Sequence, residues 1–158
     1  MGPVRIGNQA AEQVQHDVYG AVILSVTQMF FDERIRRRGD HGLFQLLEKV
    51  GQKALAFYDQ PDAGLWELRG SQHVHTFSSM MCWAAADRLG KIAQRLGLPD
   101  RGSHWSAAAE RNRTAIEKNG FNTKLNSYTA TWGGDTMDAS LLLACELGYI
   151  EGTDSRFL

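Results

Sequence analysis

Apolar residues recur at three- and four-residue intervals along most of the chain, which is the spacing of amphipathic helices. Helices are predicted over about five stretches: 9–37, 43–58, 76–96, 103–120 and 136–147. Ser103 is the predicted N-cap of the fourth helix and Asp135 that of the fifth. Helices follow one another without intervening strands, so the pattern predicts an all-α fold whose helices pair as hairpins.

Two of the predicted helices have a distinctive residue pattern. Four arginines, at positions 34 and 36–38, fall in the last turn of the first helix, where cations balance the partial negative charge of a helix C-terminus. A solvated helix end is therefore favoured over an anion site. Residues 141–145 make the fifth helix apolar on nearly all sides, which predicts burial on every face.

Two connections between these helices are unusually long. They cover 59–75 and 121–134, are rich in aromatic and polar residues, and the second is predicted as a loop or short extended hairpin. Long connections in a compact domain are more often functional than incidental. Chemistry is therefore expected in these two loops.

The composition is that of an ordinary globular protein. Hydrophobic residues make up 43% of the 158 residues and charged residues 22%, which excludes intrinsic disorder and predicts a single unit over 1–158. The net charge is −1, so there is no overall basic field to attract phosphates. Nucleic acid is therefore not an expected partner.

Neither a membrane nor a cofactor is expected. The longest apolar run, 21–31, is shorter than the ~20 residues of a membrane span, and the first residues lack an apolar signal region, so the cytoplasm is the predicted location. His73 and His75 match no strong metal-ligand spacing, so no metal is predicted. Cys82 and Cys145 lie in apolar runs and are interpreted as reduced core thiols.

The first long loop places a carboxyl directly beside a large aromatic ring, at Trp66 and Glu67, between Gly64 and Gly70. An aromatic face stacks on the apolar face of a pyranose. A carboxyl packed on an apolar ring loses hydration, which favours the protonated form that a general acid needs near neutral pH. The combination suits sugar chemistry, but spacing alone favours a surface Glu67 paired with Arg69 beside a partly buried Trp66.

The first predicted helix carries a polar edge formed by Gln13, Gln15, Asp17 and Tyr19. Its ordinary interpretation is an exposed helix face. The alternative is that these polar groups point into a wet cleft.

Taken in order, five segments resemble family 15 of the glycoside hydrolases, which contains glucoamylases and bacterial trehalase-like and glucodextranase-like enzymes. They are Gly-Asn-Gln-Ala at 7–10 with Gln-Val-Gln-His-Asp-Val-Tyr-Gly at 13–20, Pro-Asp-Ala-Gly-Leu-Trp-Glu-Leu-Arg-Gly at 61–70, Thr-Phe-Ser-Ser-Met-Met-Cys-Trp at 76–83 with Ala-Asp-Arg at 86–88, Gly-Phe at 120–121, and Met-Asp-Ala-Ser-Leu-Leu-Leu at 137–143. The resemblance extends over nearly the whole chain.

The resemblance implies a fold, a reaction and a set of site residues. The family fold is an (α/α)6 toroid of six inner and six outer helices, and its reaction is hydrolysis of terminal α-glucosidic bonds with inversion. The family's general acid, the Glu that follows the Trp, carries over onto Glu67. Trp66 and Arg69 are expected to line the same pocket, and Gln15 and Asp17 to lie near the sugar sites. The implied partner is a disaccharide or oligosaccharide of α-linked glucose.

The chain departs from the family pattern in two respects. Ser79 stands where bacterial members usually have a Lys, which removes one expected substrate contact. The general base, which inversion requires about 6.5–9.5 Å from the acid, lies in the family downstream of the segment at 137–143. About five helices also fall short of twelve, so an incomplete toroid is predicted that carries the acid, lacks the base and is inactive alone.

Two other roles stay open. A non-catalytic helical module could keep sugar binding or serve as an interaction surface. Self-association through exposed apolar helix faces is also expected, because residues 141–147 are strongly apolar.

Overall fold

A computed structural model describes residues 13–67, 70 and 72–157. Within these residues the chain forms four α-helices, a two-stranded antiparallel hairpin and one short 3-10 helix. The elements are α1 (Asp17–Phe31), α2 (His41–Phe57), α3 (Thr76–Arg95), α4 (Pro99–Gly120), β1 (Phe121–Asn122), β2 (Ser127–Tyr128) and the 3-10 helix (Ala139–Ala144). The predicted all-α fold class is confirmed.

Helix α3 is the centre of the fold. All of its first eleven residues are buried, on every side of the helix, and α1, α2 and α4 pack against it. Small side chains allow this close packing: a Cβ added at Gly20 of α1 would lie 2.3 Å from the carbonyl oxygen of Met81. Cys82 lies in this core and is a free thiol, as is Cys145, in agreement with the prediction. Burial raises the pKa of the Cys82 thiol.

Helix α1 is shorter than predicted, ending at Phe31 rather than near residue 37. The chain then folds back, and the Gly39 N–H donates to the carbonyl of Met29 at 2.8 Å. A Cβ at Gly39 would lie 2.5 Å from the ring of Phe30, so the return depends on glycine. The four arginines therefore lie in this turn and not in a last helical turn, and Arg34 pairs with Asp32. The predicted helix running from about residue 9 was also wrong at its start: residues 13–16 are not helical and α1 begins at Asp17. Residues 1–12 lie outside the described residues.

The other helix boundaries follow local capping. Asp40 caps α2 by accepting a hydrogen bond from the Leu43 N–H at 2.8 Å. Helix α4 begins at Pro99, whose ring suits the first helical position, so the Ser103 cap was wrong. The predicted hairpin after α4 is present, with Phe121 paired to Tyr128.

The fifth helix was wrong in type and length. It is a six-residue 3-10 helix capped by Asp138 and not by Asp135, and its apolar residues are not buried on every face. Leu142 is 67% exposed and Leu143 is 39% exposed. Among the described residues, no helix is both long and apolar enough to cross a membrane.

Candidate active site

Asp62 is the buried centre of the candidate site, with 0% of its surface exposed. Its Oδ2 accepts hydrogen bonds from the His16 N–H and the Ser78 hydroxyl, each at 2.8 Å. Its Oδ1 accepts one from the Gly64 N–H at 3.2 Å. One carboxylate therefore joins the segment before α1, the first turn of α3 and residues 62–67, which we call the Trp66 loop.

The Trp66 loop makes a tight turn that requires glycine at its start. Gly64 has a φ of +66°, and a Cβ there would lie 2.8 Å from the ring of His75. The Glu67 N–H closes the turn by donating to the Gly64 carbonyl at 3.2 Å. Glu67 itself has a φ of 50°, a left-handed conformation that costs a non-glycine residue about 1–2 kcal/mol. Such strain persists only where the surroundings impose it, and it is concentrated at functional sites.

The segment before α1 lies along this loop and holds its backbone. The side-chain amide of Gln13 donates to the Glu67 carbonyl at 2.9 Å, and that of Gln15 donates to the Gly64 carbonyl at 3.1 Å. A backbone hydrogen bond joins the same two segments, because the Ala63 N–H donates to the Val14 carbonyl at 2.8 Å. These bonds impose the strained Glu67 backbone, while the Glu67 side chain stays exposed.

Asp17 is buried in the first turn of α1, close to Asp62. Burial, and then the charge of Asp62, raise the pKa of Asp17 above its ordinary value. The Oδ1 of Asp17 and the Nδ1 of His16 are buried and have no hydrogen-bond partner among the described residues. Buried polar atoms are rarely left unpaired, so these two atoms mark a place where a further polar partner is expected.

Trp66 is 57% exposed, yet its indole is fixed in orientation. The indole N–H donates to both carboxylate oxygens of Asp138, at 2.9 and 3.1 Å. Asp138 lies at the start of the 3-10 helix, and the loop before that helix reaches the site through a β-bridge between His75 and Thr131. The two long loops of the sequence therefore meet at the bridge between His75 and Thr131, and the segment just after the second loop reaches Trp66.

The structure thus brings Gln15 against the loop that carries Trp66 and Glu67, and it buries Asp17 in the first turn of α1. Arg69 lies outside the described residues, so its expected place in the pocket stays a prediction. Within the described part of the chain, no cluster of three or more His, Cys, Asp or Glu side chains is placed to hold a metal ion. Contact of these residues with a sugar is likewise still a prediction.

Sequence reasoning missed the roles of Asp62 and Asp138. In the sequence analysis both residues appear only within the segments at 61–70 and 137–143, without a role of their own. The position of Asp62 at the turn before Gly64 is a local signal for its bond to the Gly64 N–H. No comparable signal exists for Asp138, because its partner lies 72 residues away in the chain.

Ser79 occupies the position where the resemblance expected a Lys. It is fully buried, and its hydroxyl donates to the Tyr58 carbonyl at 2.7 Å. In this chain the position therefore ties the end of α2 to α3.

Comparison with known proteins decides the family. The family model described as glycosyl hydrolases family 15 matches residues 1–158. The chain belongs to this family. Trehalases are among its similar relatives: that of Mycobacterium tuberculosis is 33% identical over 154 residues, and that of Mycolicibacterium smegmatis is 35% identical over 154 residues. Each match covers 98% of this chain and 22% of the relative, so the chain spans about a fifth of the length of these trehalases.

A solved glycosidase structure shares the fold. It matches 97% of this chain and 40% of its own chain, with a TM-score of 0.72 and 22% sequence identity. The helices of this family 15 chain therefore correspond to part of a larger glycosidase chain, which is consistent with the predicted incomplete (α/α)6 toroid.

Proposed function

We propose that this chain forms the part of a family 15 glycosidase active site that supplies the general acid for hydrolysis of a terminal α-glucosidic bond. Glu67 is the acid, and Trp66, Gln15, Asp17 and Arg69 bind the sugar. The observation that carries the proposal is the strained Glu67 backbone, held in place next to an exposed and oriented Trp66 ring.

The chemistry follows from the two side chains. The exposed Trp66 ring offers an apolar surface on which one face of a glucose ring can stack. Glu67 gives its proton to the glycosidic oxygen as the bond from that oxygen to the anomeric carbon breaks, and water supplies the hydroxyl that completes the sugar. This acid step requires no metal or other cofactor.

Inversion requires a second carboxylate that takes a proton from the attacking water. Among the described carboxylates, Asp62 is fully buried and bonded to the Gly64 N–H, Asp138 holds Trp66, and Asp17 is assigned above to sugar binding. In the family the base lies downstream of the segment at 137–143. We therefore propose that the base comes from outside these 158 residues, so that the chain alone does not hydrolyse trehalose or maltose.

The substrate is proposed to be an α-linked glucose disaccharide or oligosaccharide. The relatives are trehalases from bacteria and archaea, including that of Thermoplasma volcanium, 32% identical over 156 residues. This similarity makes trehalose the first sugar to test. Maltose is the second, because the family resemblance also includes glucoamylases.

The acid role is tested by binding of a maltose analogue in which a secondary amine replaces the glycosidic oxygen. A protonated amine at that position meets the Glu67 carboxylate, and a charge-assisted hydrogen bond is expected to tighten binding about tenfold over maltose. Glu67→Gln should remove this preference and leave maltose binding nearly unchanged, whereas Trp66→Ala should weaken both ligands. Titration calorimetry measures all six affinities, of three proteins for two ligands.

Two outcomes would contradict the proposal. Equal affinity for maltose and its amine analogue in the wild-type chain would exclude an acid at the glycosidic position and favour the non-catalytic sugar-binding module. Hydrolysis of trehalose or maltose by the chain alone that disappears in Glu67→Gln would show that the base lies within these residues.

A further inference from the structure

The Trp66 ring is both exposed and anchored. Exposed aromatic side chains ordinarily rotate about their side-chain bonds, and a ligand that stacks on them must first order the ring. Here the indole N–H of Trp66 is bound to Asp138, from a segment 72 residues further along the chain. The ring is therefore ordered before any ligand arrives.

Asp138 is itself fixed by a second set of hydrogen bonds. Its Oδ1 accepts from the N–H of Ser140 at 2.7 Å and from the hydroxyl of Ser140 at 2.6 Å. Burial raises the pKa of Asp138, but hydrogen bonds from Ser140 and Trp66 outweigh it and hold the pKa below its ordinary value. The side chain is thus a carboxylate, an acceptor on both oxygens, at neutral pH.

Capping the 3-10 helix does not account for both carboxylate oxygens. The cap uses Oδ1, whereas the shorter Trp66 contact, at 2.9 Å, is to Oδ2. A residue that only capped would need one acceptor, which serine also supplies. The second oxygen is the one directed at the indole.

We propose that Asp138 is a positioning residue that holds the Trp66 ring as a ready-made stacking surface for a glucose ring next to Glu67. The stacking role rests on the proposed function, whereas the positioning of the indole does not. Because the ring is ordered in advance, a sugar that stacks on it is bound more tightly.

The test is the nuclear magnetic resonance signal of the Trp66 indole N–H, assigned with Trp66→Phe. Asp138→Ser keeps a good N-cap but is too short to reach the indole, so the hydrogen-bonded proton signal should shift upfield and the ring should become mobile. Asp138→Asn has one acceptor oxygen in place of two, so it cannot serve the cap and the indole together and should shift the signal less than Asp138→Ser does. Ser140→Ala is the matched control, because it removes a contact to Asp138 but not the bond to Trp66.

Sugar binding tests whether ordering of the Trp66 ring strengthens affinity. Asp138→Ser should weaken maltose binding about threefold to tenfold, and Asp138→Asn should weaken it less. In a Trp66→Phe background, Asp138→Ser should have no further effect, as expected if it acts through the indole.

The failures are distinguishable. An unchanged indole signal in folded Asp138→Ser overturns the positioning proposal, whatever the sugar does. Absence of maltose or trehalose binding by the wild-type chain overturns the proposed function, while the indole signal still decides the role of Asp138. A loss of binding in Asp138→Ser that persists in the Trp66→Phe background also overturns positioning.

Discussion

At the scale of single residues, the Glu67 backbone combines an unfavourable conformation with strong local restraint. Its φ of 50° is tolerated because the amide of Gln13 holds its carbonyl and its own N–H closes the turn to Gly64. Strain that is retained at a solvent-exposed glutamate indicates a requirement for that side chain. The strain also has a measurable cost in stability.

We expect Glu67→Gly to raise the free energy of unfolding by about 1 kcal/mol relative to Glu67→Ala, because glycine adopts positive φ without a Cβ clash. Urea denaturation measures the difference. The matched control is Asn126, whose φ is 49°: asparagine tolerates this region, so Asn126→Gly should change stability less. Equal stability of the two Glu67 variants would show that the position is not strained.

Asp17 gives a second prediction at this scale, on pH dependence. Burial and the charge of Asp62 raise the pKa of Asp17 in the folded state, so the folded protein holds this proton more tightly than the unfolded chain. Stability from this group is therefore fully present below the ordinary carboxyl pKa and is lost as pH rises through the raised pKa.

Asp17→Asn cannot ionise, so it should not lose stability as pH rises. Its free energy of unfolding at pH 7 should therefore exceed that of the wild type, by an amount on the order of 1 kcal/mol. Urea denaturation over a pH series measures it, with the exposed Asp135→Asn as a control that should change little. If Asp17 also binds sugar as proposed, the same variant loses affinity, so a stabilised variant with full affinity would contradict that role.

At the scale of helices, the contact between α1 and α3 depends on the absence of a side chain at Gly20. A Cβ there would lie 2.3 Å from the carbonyl oxygen of Met81, which is backbone and cannot rotate away. Gly20→Ala should therefore lower the free energy of unfolding by about 1–3 kcal/mol, although alanine is the better helix former. Gly42→Ala, at the exposed start of α2, is the control. A higher free energy of unfolding in Gly20→Ala would show that α1 and α3 accommodate the added methyl group without loss of packing.

The same scale shows what the sequence could and could not predict. The bounds of α2 and α3 lie within two residues of the prediction, because periodicity and turn residues act locally. The end of α1 was not predicted because it depends on a tertiary contact, the return of the chain at Gly39 onto Phe30. The 3-10 helix was wrongly predicted as a longer buried helix because an apolar run does not reveal which of its faces meets the core. At the site, Trp66 and Glu67 are adjacent in sequence and were predicted together. Asp138 reaches Trp66 only through the tertiary fold.

At the scale of the whole molecule, several large apolar side chains remain exposed. On α1, Val18 is 42% and Val22 is 46% exposed, four residues apart on one face. The chain covers 40% of the chain of the glycosidase with the same fold. In a complete helical toroid such a face is expected to meet a neighbouring helix, and in the chain by itself a second copy is the available apolar partner.

We therefore expect the isolated chain to self-associate reversibly, with a mass in sedimentation that rises with concentration. Val18→Thr with Val22→Thr keeps the branched shape of both side chains but makes the face polar. In a symmetric dimer each substitution acts twice, so association should weaken at least tenfold. Leu46→Gln, which changes a residue 59% exposed on α2, is the control and should leave association unchanged. A monomeric mass of the wild-type chain at every concentration would show that the Val18 and Val22 face remains exposed to water without self-association. An equal weakening of association by the double valine variant and by Leu46→Gln would show that association is not specific to α1.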